Sequence, residues 1–435
     1  MKLPPYPNYK PSGVEWLGDV PEHWEVKQLR HLTRFAYGAP LAAEDREEGP
    51  IGVFGSNGQV GTHVQGNTLA PVIVVGRKGS FGKVNFSESS VFAIDTTYFI
   101  DRKQTTADLR WLSHLLWSLR LDTISKDSAV PGLAREDAYT NRVALPPPAE
   151  QAAIAAYLDG ETGRVDRLVA KKRELIERLK EKRAALISRT VTRGLPAEAA
   201  AKAGLPANPP LKPSVLDWLG DIPKHWEEMT IKRVALSMIC GPFGSSLTKD
   251  KYTDSGYRVY GQEQVIPGDF SIGDYYISTN YFSEMKRYEV RAGDVLVSCV
   301  GTFGKAAVVP EDIEPGIINP RLILIRPDRR RIDSQYMGIL IRSHFAHEQL
   351  QATSRGGTMD IINLGLMGDL MIPLPPLPEQ TAIAAYLDEE TAKLDTLVGK
   401  VEEAVERLQE YRTALITAAV TGKIDVRSYQ DNIRP

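Results

Sequence analysis

The sequence predicts an α+β protein: two mixed α/β domains, each followed by a long helix, with the two halves related as an internal repeat. Three observations predict it. EQAAIAAYLDGET at 150–162 returns as EQTAIAAYLDEET at 379–391, 229 residues later. PSGVEWLGDVPEHW at 11–24 returns as PSVLDWLGDIPKHW at 213–226, displaced by 202, and GSFGKV at 79–84 returns as GTFGKA at 301–306, displaced by 222. The order of landmarks holds while the displacement grows, so one domain plan occurs twice and the second copy carries insertions.

Composition narrows the class. A chain of 435 residues with 42% hydrophobic and 25% charged residues is globular and long enough for more than one core. Cys240 and Cys299 stand far apart with no CxxC, so neither a disulfide framework nor a zinc site is indicated. A reducing compartment fits. No N-terminal signal-like apolar region is present, and runs such as APVIVVG are too short to cross a bilayer, so a soluble cytoplasmic protein is expected. The net charge of −2 means that any polyanion-binding surface must be local.

The elements follow in order. Residues 1–147 form the first domain, 148–194 the first long helix, 195–212 a Pro/Ala-rich linker, 213–375 the second domain, and 376–427 the second long helix with its tail. In the domains, VIVV (72–75), TYFI (97–100), VLVS (295–298) and RLILI (321–325) read as strands, and SNGQ (56–59) as a tight hairpin turn. Helical stretches are expected near Trp111 to Leu119 and near Tyr336 to Phe345. The proline runs LPPPAEQ (145–151) and LPPLPEQ (374–380) mark helix starts, with Glu150 and Glu379 near the positive end of the dipole. No proline follows until past 192 or 421, and a helix of that length runs roughly 60 Å.

The second helix carries Leu394, Leu397, Val401, Ala404, Leu408, Tyr411 and Leu415 at alternating steps of three and four, the seam of a coiled coil. In the first, Val165, Leu168, Leu175, Leu179 and Leu186 align, interrupted by Lys172 and Lys182. Residues 161–193 hold eleven Lys/Arg and five Asp/Glu, and 389–423 hold five and seven. Each helix alone exposes an apolar stripe, so the two are expected to pack together. The plainer alternative is two amphipathic helices, each capping its own domain.

Taken together, WLGDxPxHW opening each half, GSNG, GRKGSFGKV, GDVLVSCVGTFGK, LPP(x)xEQxxIAxYLD and the endings VTRGL and VTGKIDVR resemble the specificity (S) subunits of Type I restriction-modification systems over almost the whole chain. The resemblance implies two target-recognition domains, each reading one half of an asymmetric bipartite double-stranded DNA site. It implies that the two long helices form an antiparallel coiled coil that relates the halves by a pseudo-two-fold axis, sets the spacing and docks two modification subunits, methyltransferases that hold S-adenosylmethionine and methylate adenine. Restriction subunits then cut with ATP-driven translocation and Mg. This chain is accordingly expected to be non-catalytic, with no cofactor of its own.

Polar and basic side chains on loops are the candidates for base and phosphate contact. In the first half these are Ser56 and Asn57 in GSNG, then Arg77, Lys78, Ser80 and Lys83 around the glycine loop, and Arg135 ending SAVPGLAR. In the second they are Ser245, Ser246 and Lys249 after GPFG, Gln262 and Gln264 in YGQEQ, Thr302 and Lys305, and Arg355 and Thr358 in TSRGGT. The plainer reading of GSNG and GSFGK is that they only turn the chain. Trp16, Trp24, Trp218 and Trp226 read as packing residues, and Arg329 to Arg331 as a solvated charge run.

Signs of catalysis are weak. NPPL (208–211) ends in leucine where an amino-methyltransferase motif needs an aromatic ring, and it lies in the linker. The glycine loops lack the spacing and the Ser/Thr of a phosphate loop. EVK (25–27) has no equivalent in EEM (227–229), and His344 with His347 is not enough for a metal. Two rival classes remain: a structural adaptor whose domains bind protein, and an enzyme of unfamiliar type.

Overall fold

The computed structural model describes residues 4–123, 132–216, 219–242, 246–300, 304–353, 362–427 and 429. The chain divides into two compact units, Met1–Glu174 with Val401–Pro435, and Leu175–Lys400.

In the first unit an antiparallel four-stranded sheet runs in the order Ala36–Tyr37, Thr97–Ile100, Val72–Gly76, Val84–Ser87. Val72–Gly76 is buried throughout, which is why this central strand reads as an unbroken apolar run rather than an alternating one. Beside it lies a three-stranded sheet in which Ile51–Gly55 turns back into Gly58–His63 through the GSNG stretch and pairs in parallel with Val91–Ala93. The helix Leu109–Ser118 packs on the first sheet; Asp108 caps it, accepting from the Trp111 amide at 2.8 Å. Trp24, Phe35, Trp111, Leu112 and Leu115 fill the core.

The second unit repeats this plan. Its sheet runs Ala235–Cys240, Leu322–Pro327, Val295–Ser298, Ala306–Val308, and its parallel pair is Tyr257–Tyr260 with Gly316–Ile318. Asp333 caps the helix Ser334–Arg342 as Asp108 does in the first unit, accepting from the Tyr336 amide at 2.9 Å.

The duplicated EQ motif has a physical role in both units. Gln151 Nε2 donates to the Pro146 carbonyl at 2.9 Å while its Oε1 accepts from the Asp108 amide at 2.8 Å. Gln380 makes the same pair with Pro375 and Asp333, both at 2.8 Å, and adds the Arg331 carbonyl at 2.9 Å. Glutamine thereby ties the first turn of each long helix to the capped end of the domain helix. The preceding glutamate meets the histidine of the HW motif: Glu150 lies 2.7 Å from His23 Nε2, and Glu379 lies 2.8 Å from His225 Nε2. Trp24 Nε1 and Tyr6 Oη also donate to Glu150, each at 3.0 Å.

The long helices span Pro148–Arg193 and Leu377–Val420. Within the first unit the early turns of one lie against the late turns of the other, where Val165, Val169, Val405 and Leu408 cluster and Arg412 reaches Asp166. Within the second, Val191 joins Ile383 and Leu387 in the core, and Arg183 Nε lies 3.0 Å from Asp395.

The seam differs from its expected phase. Val165, Leu394 and Leu415 are buried, and Leu179, Leu186, Val401 and Leu408 are half-buried. Leu168, Leu175, Leu397 and Tyr411, however, are exposed, and Val169, Ile176 and Val405 are buried instead. The seven-residue period is as expected, but from Leu394 the steps run four then three, which puts every second inward position one residue later, roughly 100° round the helix. Lys172 stays half-buried in the stripe because its aliphatic stem covers apolar surface.

Candidate nucleic-acid interface

In the first unit two separate segments bring cations to one edge, and a third, distant in sequence, brings an aromatic ring between them. Leu133 donates its amide to the Arg77 carbonyl at 2.9 Å, and Lys78 bridges to Gly132, so the segment carrying Arg135 is zipped onto the glycine loop. Tyr37 lies between the two arginines: the Arg77 guanidinium carbon is 5.0 Å from its ring centroid, and that of Arg135 is 5.1 Å away. Tyr98 supports the cluster from below, with its ring 5.2 Å from that of Tyr37 and its hydroxyl donating to the Leu133 carbonyl at 3.0 Å. Burial, with Tyr37 beside it, pushes the Tyr98 phenol up to about 12, so it stays protonated and keeps donating.

The glycine loop has a steric reason for its composition. Gly79 and Gly82 have φ of +73° and +72°, and a Cβ on Gly82 would lie 2.1 Å from the Asp122 amide nitrogen. This tight turn leaves Lys78, Ser80 and Lys83 exposed. Lys83 Nζ donates to the Asn57 side-chain oxygen at 2.6 Å, which joins two of the expected contact residues. Ser56 departs from expectation: it is buried and its hydroxyl donates to the Thr96 carbonyl at 2.7 Å, so it braces the turn from within.

In the second unit Lys249 and Lys305 are exposed and Ser246 is half-buried. Gln264 departs from expectation, being 1% exposed, with its Oε1 accepting from the Gly261 amide at 2.7 Å and its Nε2 donating to the Ile272 carbonyl at 2.9 Å. A residue so placed shapes the loop. Gln262 is half-buried, its Nε2 donating to Ser298 Oγ at 2.7 Å and the Val300 carbonyl at 2.6 Å, and its amide is committed to the framework. Ser245, Thr302, Arg355 and Thr358 lie outside the described residues, as does Trp218.

Features not anticipated from sequence complete the picture. Tyr37 is half-exposed although it lies in a two-residue strand with no polar signature. An open cleft beside Gln262 is lined by Tyr252, Tyr275, Asn319 and Arg321, with the rings of Tyr252 and Tyr275 5.2 Å apart. Trp16 is 43% exposed, whereas Trp24 and Trp226 are core residues. The arginine run is spent locally: Arg329 on the Ala292 carbonyl, Arg330 on Asp328, Arg331 on the Arg233 carbonyl. His344 pairs with Glu348 at 3.2 Å, and among the described residues no group of three His, Cys, Asp or Glu could hold a metal ion. No helix among them is long and apolar enough to cross a membrane.

Comparison with known proteins places this geometry. The family model described as "Type I restriction modification DNA specificity domain" matches residues 223–407. The chain is 23% identical over 364 residues to the Type I restriction enzyme EcoBI specificity subunit of Escherichia coli, covering 83% of this chain and 75% of that one. It is 21% identical over 434 residues to the EcoDI specificity subunit of the same species, covering 95% and 92%. The MjaVIII specificity subunit of Methanocaldococcus jannaschii is 21% identical over 325 residues, covering 72% and 71%. A solved chain from work on complex assembly and conformational transition of the type I R-M system shares the fold, with a TM-score of 0.68 at 17% identity over 93% of this chain and 99% of that one.

Proposed function

We propose that this chain, which belongs to the specificity subunits of type I restriction-modification systems, recognises an asymmetric bipartite DNA target and holds the complex together without catalysing a reaction itself. Residues 1–147 and 213–375 are the two readers. The long helices form one antiparallel coiled coil that fixes the distance between them and docks two modification subunits, with restriction subunits joining the assembly. Those partners supply the methyltransferase and nuclease chemistry, together with S-adenosylmethionine, ATP and Mg. The relatives and the fold do not support a protein-binding adaptor.

The observation that carries the frame is a reciprocal pairing. Asp395 stands 229 residues after Asp166, and Arg412 stands 229 after Arg183, the displacement of the repeat itself. Asp166 pairs with Arg412, and Asp395 pairs with Arg183. Reciprocal pairing, residue i of one copy with j of the other and j with i, is what two-fold related copies produce, and it supports this reading. Arg77, Lys78, Ser80, Lys83, Asn57 and Arg135 in the first reader, and Lys249, Ser246 and Lys305 in the second, are the described residues proposed to face DNA; Ser245, Thr302, Arg355 and Thr358 are proposed on sequence alone.

The framework repeats while most of the exposed candidates, Lys83 and Lys305 apart, do not, so the half-sites should differ. Selection of bound sequences from a random pool by the assembled complex tests this. Two unlike half-sites separated by a fixed gap are expected; a continuous or palindromic consensus would refute the reading.

A further inference from the structure

The cluster of Tyr37, Arg77 and Arg135 deepens the DNA-recognition reading and rests on it: we propose that the two arginines read guanine in the half-site of the first unit, and that Tyr37 is the residue that positions them. The three side chains come from a strand, a glycine loop and the first turn of Arg135–Tyr139, yet they are locked together by backbone bonds and by Tyr98.

Two cations share one ring, and few protein acceptors meet them. Arg77 Nη1 donates to the Asp95 carbonyl at 3.0 Å, and among the described residues Arg77 makes no ion pair. Among the described residues the ion pair of Arg135 is with Glu136, at 3.4 Å. Both guanidinium groups lie beside the Tyr37 ring, which is itself 50% exposed. Such an arrangement is organised for an acceptor that arrives from outside. A guanidinium of fixed plane matches a pair of adjacent acceptors, and guanine offers O6 and N7 in the major groove.

The second unit provides an internal control. Tyr37 is paired across the sheet with Tyr98, and the residue at the corresponding point of the second sheet, Cys240, is paired with Ile323. Arg77 follows the strand Val72–Gly76 as Cys299 follows Val295–Ser298. The same fold therefore carries Tyr, Arg and Tyr in one copy and Cys, Cys and Ile in the other. Burial pushes the Cys299 thiol up to about 11, so it is uncharged at neutral pH. The framework does not need the cluster, so the cluster serves what the first unit alone does.

The test uses the complex assembled with its modification subunits and the sequences it selects from a random pool. Arg77→Lys and Arg135→Lys keep the charge and remove the fork; each is expected to lower the preference for guanine at one position of one half-site on the order of 10-fold, leaving the other half-site unchanged. Tyr37→Leu is expected to blur the same positions, and Tyr37→Phe, which keeps the ring, to preserve them. If Tyr37→Leu fails to fold, the lysine variants decide. An unchanged motif in both lysine variants would overturn the proposal, as would weakening that is uniform across all sequences, the signature of a phosphate contact. Absence of any bipartite preference in the unaltered complex would instead overturn the DNA-recognition reading, and this inference with it.

Discussion

Arg412 donates two hydrogen bonds to the carboxylate of Asp166, at 2.9 and 3.3 Å, while its guanidinium carbon sits 5.4 Å from the centroid of the Trp117 ring. A residue of the second long helix is thereby tied both to the first helix and to the domain that the first helix leaves. Asp166 is the more exposed partner, so salt screens the ionic part of this contact.

The two substitutions at this pair should therefore differ. Asp166→Ala is expected to cost about 0.5 to 1 kcal/mol. Arg412→Ala loses the cation–ring contact and the packing of its stem as well, so about 1 to 2 kcal/mol is expected. Urea unfolding of both single variants and the double variant measures the coupling, about 0.5 kcal/mol; equal costs for the two residues would show that the Trp117 contact contributes nothing.

Gln380 is fully buried and serves three backbone groups, whereas Gln151 serves two. Gln380→Ala leaves the Asp333 amide and the Arg331 and Pro375 carbonyls without their partner, and each unmet buried group costs about 1 kcal/mol or more. A loss of roughly 3 kcal/mol is expected for Gln380→Ala and less for Gln151→Ala. Denaturation midpoints at constant slope check this. Indistinguishable midpoints for the two variants would mean that water or local rearrangement replaces the third bond.

Much of this frame was legible because repeats leave a literal trace. WLGDxPxHW and EQxAIAAYLD recur because they meet, His23 on Glu150 and His225 on Glu379, and such contacts allow little change. The seven-residue period of the long helices was legible too, yet its phase was not. Leucine is the strongest apolar signal, but Leu168 and Leu397 flank the seam while Val169 faces it, since the side that faces a partner is set by packing and not by residue type. Contact residues were harder for the same reason. Gln264 carries the right chemistry for reading a base and spends it inside its own loop, and Tyr37 carries no polar pattern, becoming significant only when Arg77 and Arg135 fold over it from distant parts of the chain.

Asp159 gives a pH dependence. Burial raises its pKa, but hydrogen bonds from His114 and Arg110, at 3.0 and 2.6 Å, outweigh that and hold the carboxyl below the usual aspartate range. A carboxyl depressed in the folded state binds its proton more readily when unfolded. Its contribution is therefore complete above the unfolded value of about 4 and is lost as pH falls through the lower folded value. Because Asp159 is more than a third exposed, about 1 kcal/mol is a generous bound. Asp159→Asn should lower the melting temperature at pH 7, with the gap from the parent closing below pH 4. A gap that persists in acid would assign the loss to packing instead of charge.

If the proposed coiled coil is the ruler, it should lengthen without changing its phase. An insertion of seven residues after Lys171, matched by seven after Glu406, adds two turns to each helix and preserves the inward face. Asp166 keeps Arg412, and Asp395 keeps Arg183, because each pair lies wholly on one side of the inserted segments. The added length is about 10.5 Å at ~1.5 Å per residue, equivalent to about three base pairs at ~3.4 Å each. The selected target should keep both half-sites and widen its gap by about three base pairs, provided the partner subunits still assemble, which sedimentation of the complex reports. A four-residue insertion in one helix alone rotates the seam by roughly 40° and leaves its partner short, and it should weaken binding outright. Retention of the parental gap in the seven-residue variant would show that something other than the helices sets the distance.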